Sequence, residues 1–153
     1  PLHEGDPLQA WNSTMQVNLN GPFHMVLAFL AQLKETRGSV LNIASVQTFV
    51  ATPNSVPYSV SKGGIGQLTK GLACELATQG VRVNALAPGL IATPMSAATL
   101  QDPQKLEQLL VHVPMKRYAQ PEELNGAALF LCSEHASYIT GAILPVDGGF
   151  LAC

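Results

Sequence analysis

Apolar positions along the chain follow two rhythms. Across residues 8–33, Trp11, Met15, Leu19, Met25, Phe29 and Leu33 recur near the helical period of about 3.6, which predicts a helix that Gly38 ends. Residues 39–44 form a short apolar run suited to a buried strand centred on 40–44, and a loop rich in Thr, Pro, Asn and Ser follows over 48–57. A second helix is predicted over 58–78, with Ile65, Leu68, Leu72 and Leu76 on one stripe and Gly80 placed to cap it. Residues 81–86 read as another strand, halted by Pro88 and Gly89. The polar, proline-broken stretch 93–114 reads as a mobile excursion containing a short helix. Pro121 and the acids after it begin a third helix, since proline suits the first turn and carboxylates suit the positive end of the dipole. A last strand, 142–146, runs into Asp147-Gly-Gly149. The alternation predicts an α/β fold: a doubly wound parallel sheet with right-handed crossovers, in a single domain over 1–153. Three strands make a thin sheet, and parallel sheets need cover on both faces, so part of the fold is expected to lie outside this sequence.

Composition sharpens that picture. Of the 153 residues 47% are hydrophobic and 12% charged, an apolar excess that strands buried on both faces would produce. A net charge of −2 leaves no basic footprint for nucleic acid. The longest mainly apolar stretch, 23–33, is too short for a bilayer and is interrupted by His24 and Gln32, so no membrane partner is expected. Cys74, Cys132 and Cys153 are odd in number and far apart, and no secretory signal opens the chain, which points to reduced thiols and a cytoplasmic setting. His3, His24, His112 and His135 are scattered, so no metal site is expected. The first residue is Pro1 rather than methionine, which fits a processed product or a fragment.

The candidate chemistry begins with Tyr58 and Lys62, four residues apart and therefore on one helix face. A free tyrosine titrates at about 10 and is a poor base at neutral pH, but a nearby ammonium favours the phenolate. The pair can then exchange a proton with an alcohol or ketone oxygen. Alone, the spacing is weak, and a surface pair on a solvated helix is then the better reading. Ser45 follows a predicted buried strand at the edge where open α/β sheets bind ligands, although a turn serine is the plainer alternative. In a continuous helix the Asn18 carbonyl would accept from residue 22; Pro22 has no amide hydrogen, so that carbonyl is left to hold a water, or the helix merely kinks for packing. Gly63, Gly64 and Gly66 each cost a helix roughly 1 kcal/mol against alanine. They make sense if a second helix, a cofactor or a neighbouring element of the same subunit packs closely there.

Asn18, Ser45, Tyr58-Ser-Val-Ser-Lys62, Asn84-Ala-Leu-Ala-Pro-Gly89 with Thr93-Pro94, and Asp147-Gly-Gly149 together resemble the ordered C-terminal motifs of the short-chain dehydrogenase/reductase family. The resemblance covers essentially the whole chain, and the ordered set is far more specific than any member. It implies a Rossmann-like fold, of which this is the C-terminal catalytic part, and an NAD- or NADP-dependent oxidoreductase interconverting a secondary alcohol and a ketone. By the same resemblance Tyr58 is the general acid/base, Ser45 the donor to the substrate oxygen, Lys62 a ribose ligand that also lowers the tyrosine pKa, and Asn18 the holder of a relay water. Pro88 and Gly89 would meet the nicotinamide end of the cofactor, with Ile91 bonding the carboxamide through its backbone and Thr93 the carboxamide or pyrophosphate. Asn84 would order its loop rather than touch substrate. The excursion 96–113 would cover the substrate, with Leu106, Leu109, Leu110 and Met115 as an apolar wall. Family members assemble as homodimers or homotetramers, and the helices 8–33 and 58–78 offer the apolar stripes for it.

Two departures stand beside the resemblance. No glycine-rich turn follows a strand here, so the amides and helix N-terminus that would bind pyrophosphate are absent, as is the residue that selects NAD or NADP. The isolated chain is therefore expected to bind cofactor weakly. The competing reading is a non-catalytic remnant or oligomerisation module that retains the motifs by descent.

Overall fold

The structure, a computed structural model, describes residues 5–153; Pro1 and His3 lie outside the described residues. Helix α1 (Pro7–Met15) starts where the Asp6 carboxylate accepts the amides of Leu8 and Gln9, with Pro7 at the first helical position. The expected uninterrupted helix over 8–33 is instead two helices joined by a widened turn. Over Gln16–Asn20 the ladder skips to a π pattern, the Gly21 amide donating to the Gln16 carbonyl five residues back, and α2 (Gly21–Thr36) follows. Pro22 supplies the cause: it has no amide proton, so the α ladder cannot close through it and its register slips instead. Arg37, at φ 49°, takes the left-handed position that ends α2, one residue before the Gly38 expected to end the helix. Gly38 is small for another reason, since a Cβ there would crowd Thr36 Oγ1 at 3.2 Å and the Leu33 side chain at 3.3 Å.

Strands β1 (Ser39–Ile43), β2 (Arg82–Pro88) and β3 (Ile143–Val146) form one parallel sheet in the order β1-β2-β3, with Ser39 opposite Arg82 and Ala85 opposite Ile143. The three expected strands are thus neighbours, with bounds shifted by one or two residues. Between the first two runs α3 (Val56–Leu76), which begins two residues earlier than its apolar stripe suggests because Pro57 fits its first turn.

Alternation along β2 sends its side chains to opposite faces. Val83, Ala85 and Ala87, all at 0% exposure, face the helices α2 and α3, packing with Val26, Ile65, Leu72, Ala73 and Leu76. On the other face, the Arg82 guanidinium donates to the carbonyls of Leu131 (2.8 Å) and Ser133 (3.1 Å) at the end of the sixth helix. That helix, α6 (Asn125–Cys132), thereby covers the second face. The segment before it, Pro121–Leu124, is a 3₁₀ turn rather than the opening of the α-helix. The reason is the box in which the Glu123 amide bonds the Gln120 carbonyl while the Glu123 carboxylate accepts the Gln120 amide. The excursion contains two short helices, α4 (Ala97–Leu100) and α5 (Pro103–Leu110), where one was expected. Asp102 separates them by capping the second through the Lys105 amide. Among the described residues no helix is long and apolar enough to cross a membrane.

Asn84 is buried on the α6 face of β2 and locks the turn into β3, donating to the Ile139 carbonyl at 2.9 Å and accepting the Ala142 amide at 3.0 Å. Replacing it with alanine strands a carbonyl and an amide at once. Asn84→Ala is expected to lower unfolding stability by roughly 2–4 kcal/mol, about the cost of two unmet buried polar groups. Urea denaturation measures this; a loss within experimental error of zero would mean that the turn finds other partners.

Candidate active site

The site is built where β1 ends. The Ala44 amide continues the ladder onto the Leu86 carbonyl at 2.7 Å, and Ser45 follows in extended conformation, buried, with its Oγ accepting the Gln47 amide at 3.2 Å. A hydroxyl has one proton and two acceptor positions, so this contact leaves the Ser45 proton free to be donated. Tyr58 stands in the first turn of α3, half-buried, and Lys62 follows one turn later. The Lys62 ammonium donates to the Ile43 carbonyl at 2.8 Å and lies 5.7 Å from the centre of the Tyr58 ring, within cation–π range. One side chain therefore links α3 to the end of β1, two residues before Ser45. Burial lowers the Lys62 pKa from its ordinary 10.5.

Asn18 reaches the same helix from the π turn. Its Nδ2 donates to Ser61 Oγ at 3.1 Å, and Ser61 Oγ donates to the Tyr58 carbonyl at 2.7 Å. The contact is made by the Asn18 side chain, and the widened turn replaces the simple kink on which a water-holding carbonyl was argued. The expected loop residues lie at the end of β2. Pro88 closes that strand, and Gly89 is needed by internal packing, because a Cβ there would come within 2.8 Å of Asp147 Cα. The Ile91 carbonyl accepts from Ser96 Oγ, and Ile91 forms a parallel bridge with Ala119. Thr93 is exposed, its amide donating to Ser96 Oγ at 2.9 Å.

The three glycines that follow Lys62 on α3 divide three ways. A Cβ on Gly64 would press on Leu19 at 3.0 Å and one on Gly66 would meet Thr48 Cγ2 at 2.5 Å, while Gly63 faces open space. Two of them are thus explained by packing within the subunit, and the Gly66 contact lets Thr48 Oγ1 reach the Lys62 carbonyl at 2.9 Å. A separate cavity of about 130 Å³ is lined by Leu90, Val113, Met115, Arg117, Glu123 and Asp147, among others. Ser45, Tyr58 and Lys62 do not line it, and of the expected apolar wall only Met115 does; Leu106 and Leu110 are half-buried elsewhere and Leu109 is exposed.

Sequence reasoning passed over Gln47, Thr48 and Ser61. The available signal was a cluster of hydroxyl residues, Thr52, Ser55 and Ser59, with the last two one helical turn apart.

Comparison with known proteins shows the family to which the chain is similar. The family model described as enoyl-(acyl carrier protein) reductase matches residues 2–151. The chain is 44% identical over 144 residues to glucose 1-dehydrogenase 2 of Bacillus subtilis, covering 93% of this chain and 55% of that protein. It is 46% identical to the L-tagatose-forming galactitol 2-dehydrogenase of Cereibacter sphaeroides, covering 92% of this chain and 56% of the other. Among solved structures, gluconate 5-dehydrogenase of Burkholderia cenocepacia, in complex with NADP and tartrate, superposes with a TM-score of 0.95 at 35% identity, over 100% of this chain and 60% of that one. The chain therefore spans little more than half the length of these relatives.

The cavity rim supplies a pH test. Arg117 donates through both guanidinium nitrogens to Glu123, at 2.8 and 2.7 Å, and with the Gln120 amide this holds the Glu123 carboxyl down to about 2, from an ordinary 4.5. A depressed folded pKa contributes stability that is fully present above the unfolded value and is lost as pH falls toward the folded one. The stability difference between the native chain and Glu123→Gln should hold steady above about pH 5.5 and shrink steadily below 4.5. Both groups are exposed, so added salt should reduce it throughout. A difference that grows on acidification would contradict the assignment.

Proposed function

The chain belongs to the short-chain dehydrogenase/reductase family, and on that premise we propose that it carries the catalytic half of an oxidoreductase interconverting a secondary alcohol and a ketone. The observation that carries the proposal is the Lys62 ammonium bridging the end of β1 and the Tyr58 ring. A bound nicotinamide, of NAD or NADP, would accept or deliver the hydride. In the oxidising direction Tyr58, as phenolate, takes the alcohol's hydroxyl proton while the carbon–hydrogen pair leaves as hydride, and the ketone remains. Ser45, with its proton free, donates to the substrate oxygen as charge develops there. Lys62 favours the phenolate and holds the ribose: its ammonium has three donors, one spent on Ile43, and the remaining two suit a ribose diol. Asn18 holds the proton-relay water, and Pro88, Gly89, Ile91 and Thr93 meet the nicotinamide end.

The pyrophosphate half of the cofactor has no counterpart in this sequence, so activity requires the residues that the longer relatives supply. Ile43 on edge strand β1 and Leu129 on α6 are exposed apolar residues suited to being covered by that half. Galactitol and gluconate, named for relatives, both carry secondary hydroxyls, and a substrate of that class fits the proposed chemistry. A homodimer or homotetramer is proposed through residues 8–33, where Val17 of the π turn and Met25, Leu27 and Phe29 of α2 are exposed, and through α3, where Val60 is exposed; sedimentation as a monomer would remove that part. The exposed, unpaired cysteines fit a reducing cytoplasm.

In the chain joined to a complete N-terminal half, Tyr58→Phe is expected to depress turnover by about two to four orders of magnitude with the fold intact, since one phenolic proton is lost. Near-normal turnover would sink the acid/base role. Calorimetric titration of the 153-residue chain with NAD(H) and NADP(H) should find weak or undetectable binding. Micromolar affinity in that experiment would show that this half binds cofactor alone.

A further inference from the structure

Serine and tyrosine in the proposed site sit on different elements, and beside Lys62 and Thr48 a third side chain joins those elements. Ser45 closes β1 and leads into the 3₁₀ turn Val46–Thr48, whereas Tyr58 stands in the first turn of α3. Between them the chain wanders through residues 49–55, including Asn54 at φ 60°. Gln47 spans the gap. Its Oε1 accepts from Oγ of Ser59 in the first turn of α3 at 2.6 Å and from Oγ of Ser55, the residue that caps that helix, at 3.1 Å, and its Nε2 donates to Thr52 Oγ1 at 2.9 Å. Thr52 and Ser55 share a further hydroxyl contact at 2.8 Å, and Ser55 and Ser59 one at 3.1 Å. The Gln47 backbone amide meanwhile holds Ser45 Oγ.

We propose that Gln47 is the positioning residue of the site, its amide side chain setting the spacing between the Ser45 hydroxyl and the Tyr58 phenol. This rests on the Ser45–Tyr58 reading above. The physical case is one of satisfied capacity. Both polar atoms of the carboxamide are bonded, three hydroxyls converge on it, and the whole cluster is half-buried, so solvent competes poorly for its bonds. Whichever way the single Ser55 proton points, the bonds from Ser59 and to Thr52 tie Gln47, two residues after Ser45, to Ser59, the residue next to Tyr58. Proton transfer and oxyanion donation both depend on sub-ångström placement, so the loss should appear in turnover rather than in binding. Thr48, bonded to the Lys62 carbonyl from the same turn, extends the linkage to the third member of the site.

Two measurements test the inference. In the 153-residue chain, hydrogen exchange of Gln47→Leu should accelerate roughly tenfold or more over residues 46–59, while Ile65 to Leu76 and β2 keep their protection. In the chain joined to a complete N-terminal half, Gln47→Leu should lower kcat roughly ten- to hundredfold with the ketone KM within about twofold. Gln47→Glu, which keeps an acceptor for Ser55 and Ser59, should recover most of that loss. Adding Ser55→Ala and Ser59→Ala to Gln47→Leu should cost little more, because the shared contact is already gone. Unchanged kcat in Gln47→Leu, beside a collapsed kcat in Tyr58→Phe, would overturn the positioning role and leave the site reading standing. Near-normal kcat in Tyr58→Phe would instead overturn the reading on which the inference rests. Loss of protection throughout the chain would show that Gln47 serves the fold as a whole, and that too would overturn the proposal.

Discussion

One buried contact sets how α3 lies on the sheet. Asn42 of β1 donates to Thr69 Oγ1 at 2.9 Å, and Thr69, fully buried, donates on to the Ile65 carbonyl. In an apolar interface such a pair has one acceptable geometry, because rotation of the helix would leave the buried Asn42 amide without its acceptor. Thr69 and Lys62 are seven residues apart and so share a face of α3. The contact that turns Thr69 toward Asn42 therefore turns Lys62 toward Ile43, the next residue of β1, whose carbonyl receives the ammonium. The placement of the charged group follows from a neutral hydrogen bond two turns away.

Close approach does the rest. With no side chain on Gly66, Thr48 comes against the helix and bonds the Lys62 carbonyl, which draws the turn after Ser45 onto α3. Gly64 admits Leu19 in the same way, and Leu19 belongs to the widened turn that carries Asn18. Three segments remote in sequence thus meet α3 within about two turns, each at a residue chosen for smallness or for a hydrogen bond. Roughly 1 kcal/mol of helix propensity is surrendered at each glycine. The buried contacts of Ile65, Leu72 and Leu76 on the same helix offset it.

The strands and α3 could be read from the chain alone because their signals are local: an unbroken apolar run for a strand buried on both faces, and a 3.6 period for a helix buried on one. Tyr58, Lys62 and Ser45 were brought to one site by the family resemblance, since local signals gave only a shared helix face and a residue after a strand. What the sequence withheld was set by tertiary contact. Pro22 announces a break in the ladder, but the letter alone does not say whether the helix kinks or widens, and the structure shows a widened turn. Gly63, Gly64 and Gly66 are the same letter in sequence, but successive rotations of about 100° send them to open space, to Leu19 and to Thr48. Gln47 was hidden because its partners lie five to twelve residues away in a stretch that reads only as a polar loop.

The central claim is that Lys62 is held in a partly desolvated seat between α3 and the end of β1, with a carbonyl rather than a carboxylate as its partner. A carbon-13 titration of the lysine ε-carbons, with the Lys62 signal assigned through Lys62→Met, reads that environment directly. A lowered folded pKa means that the charged form is disfavoured on folding, so stability contributed by this group should rise as pH climbs through its folded value toward 10.5. The account predicts a midpoint below 10.5 for Lys62. A midpoint at or above that value would place the ammonium in water or beside an acid, and would contradict the account.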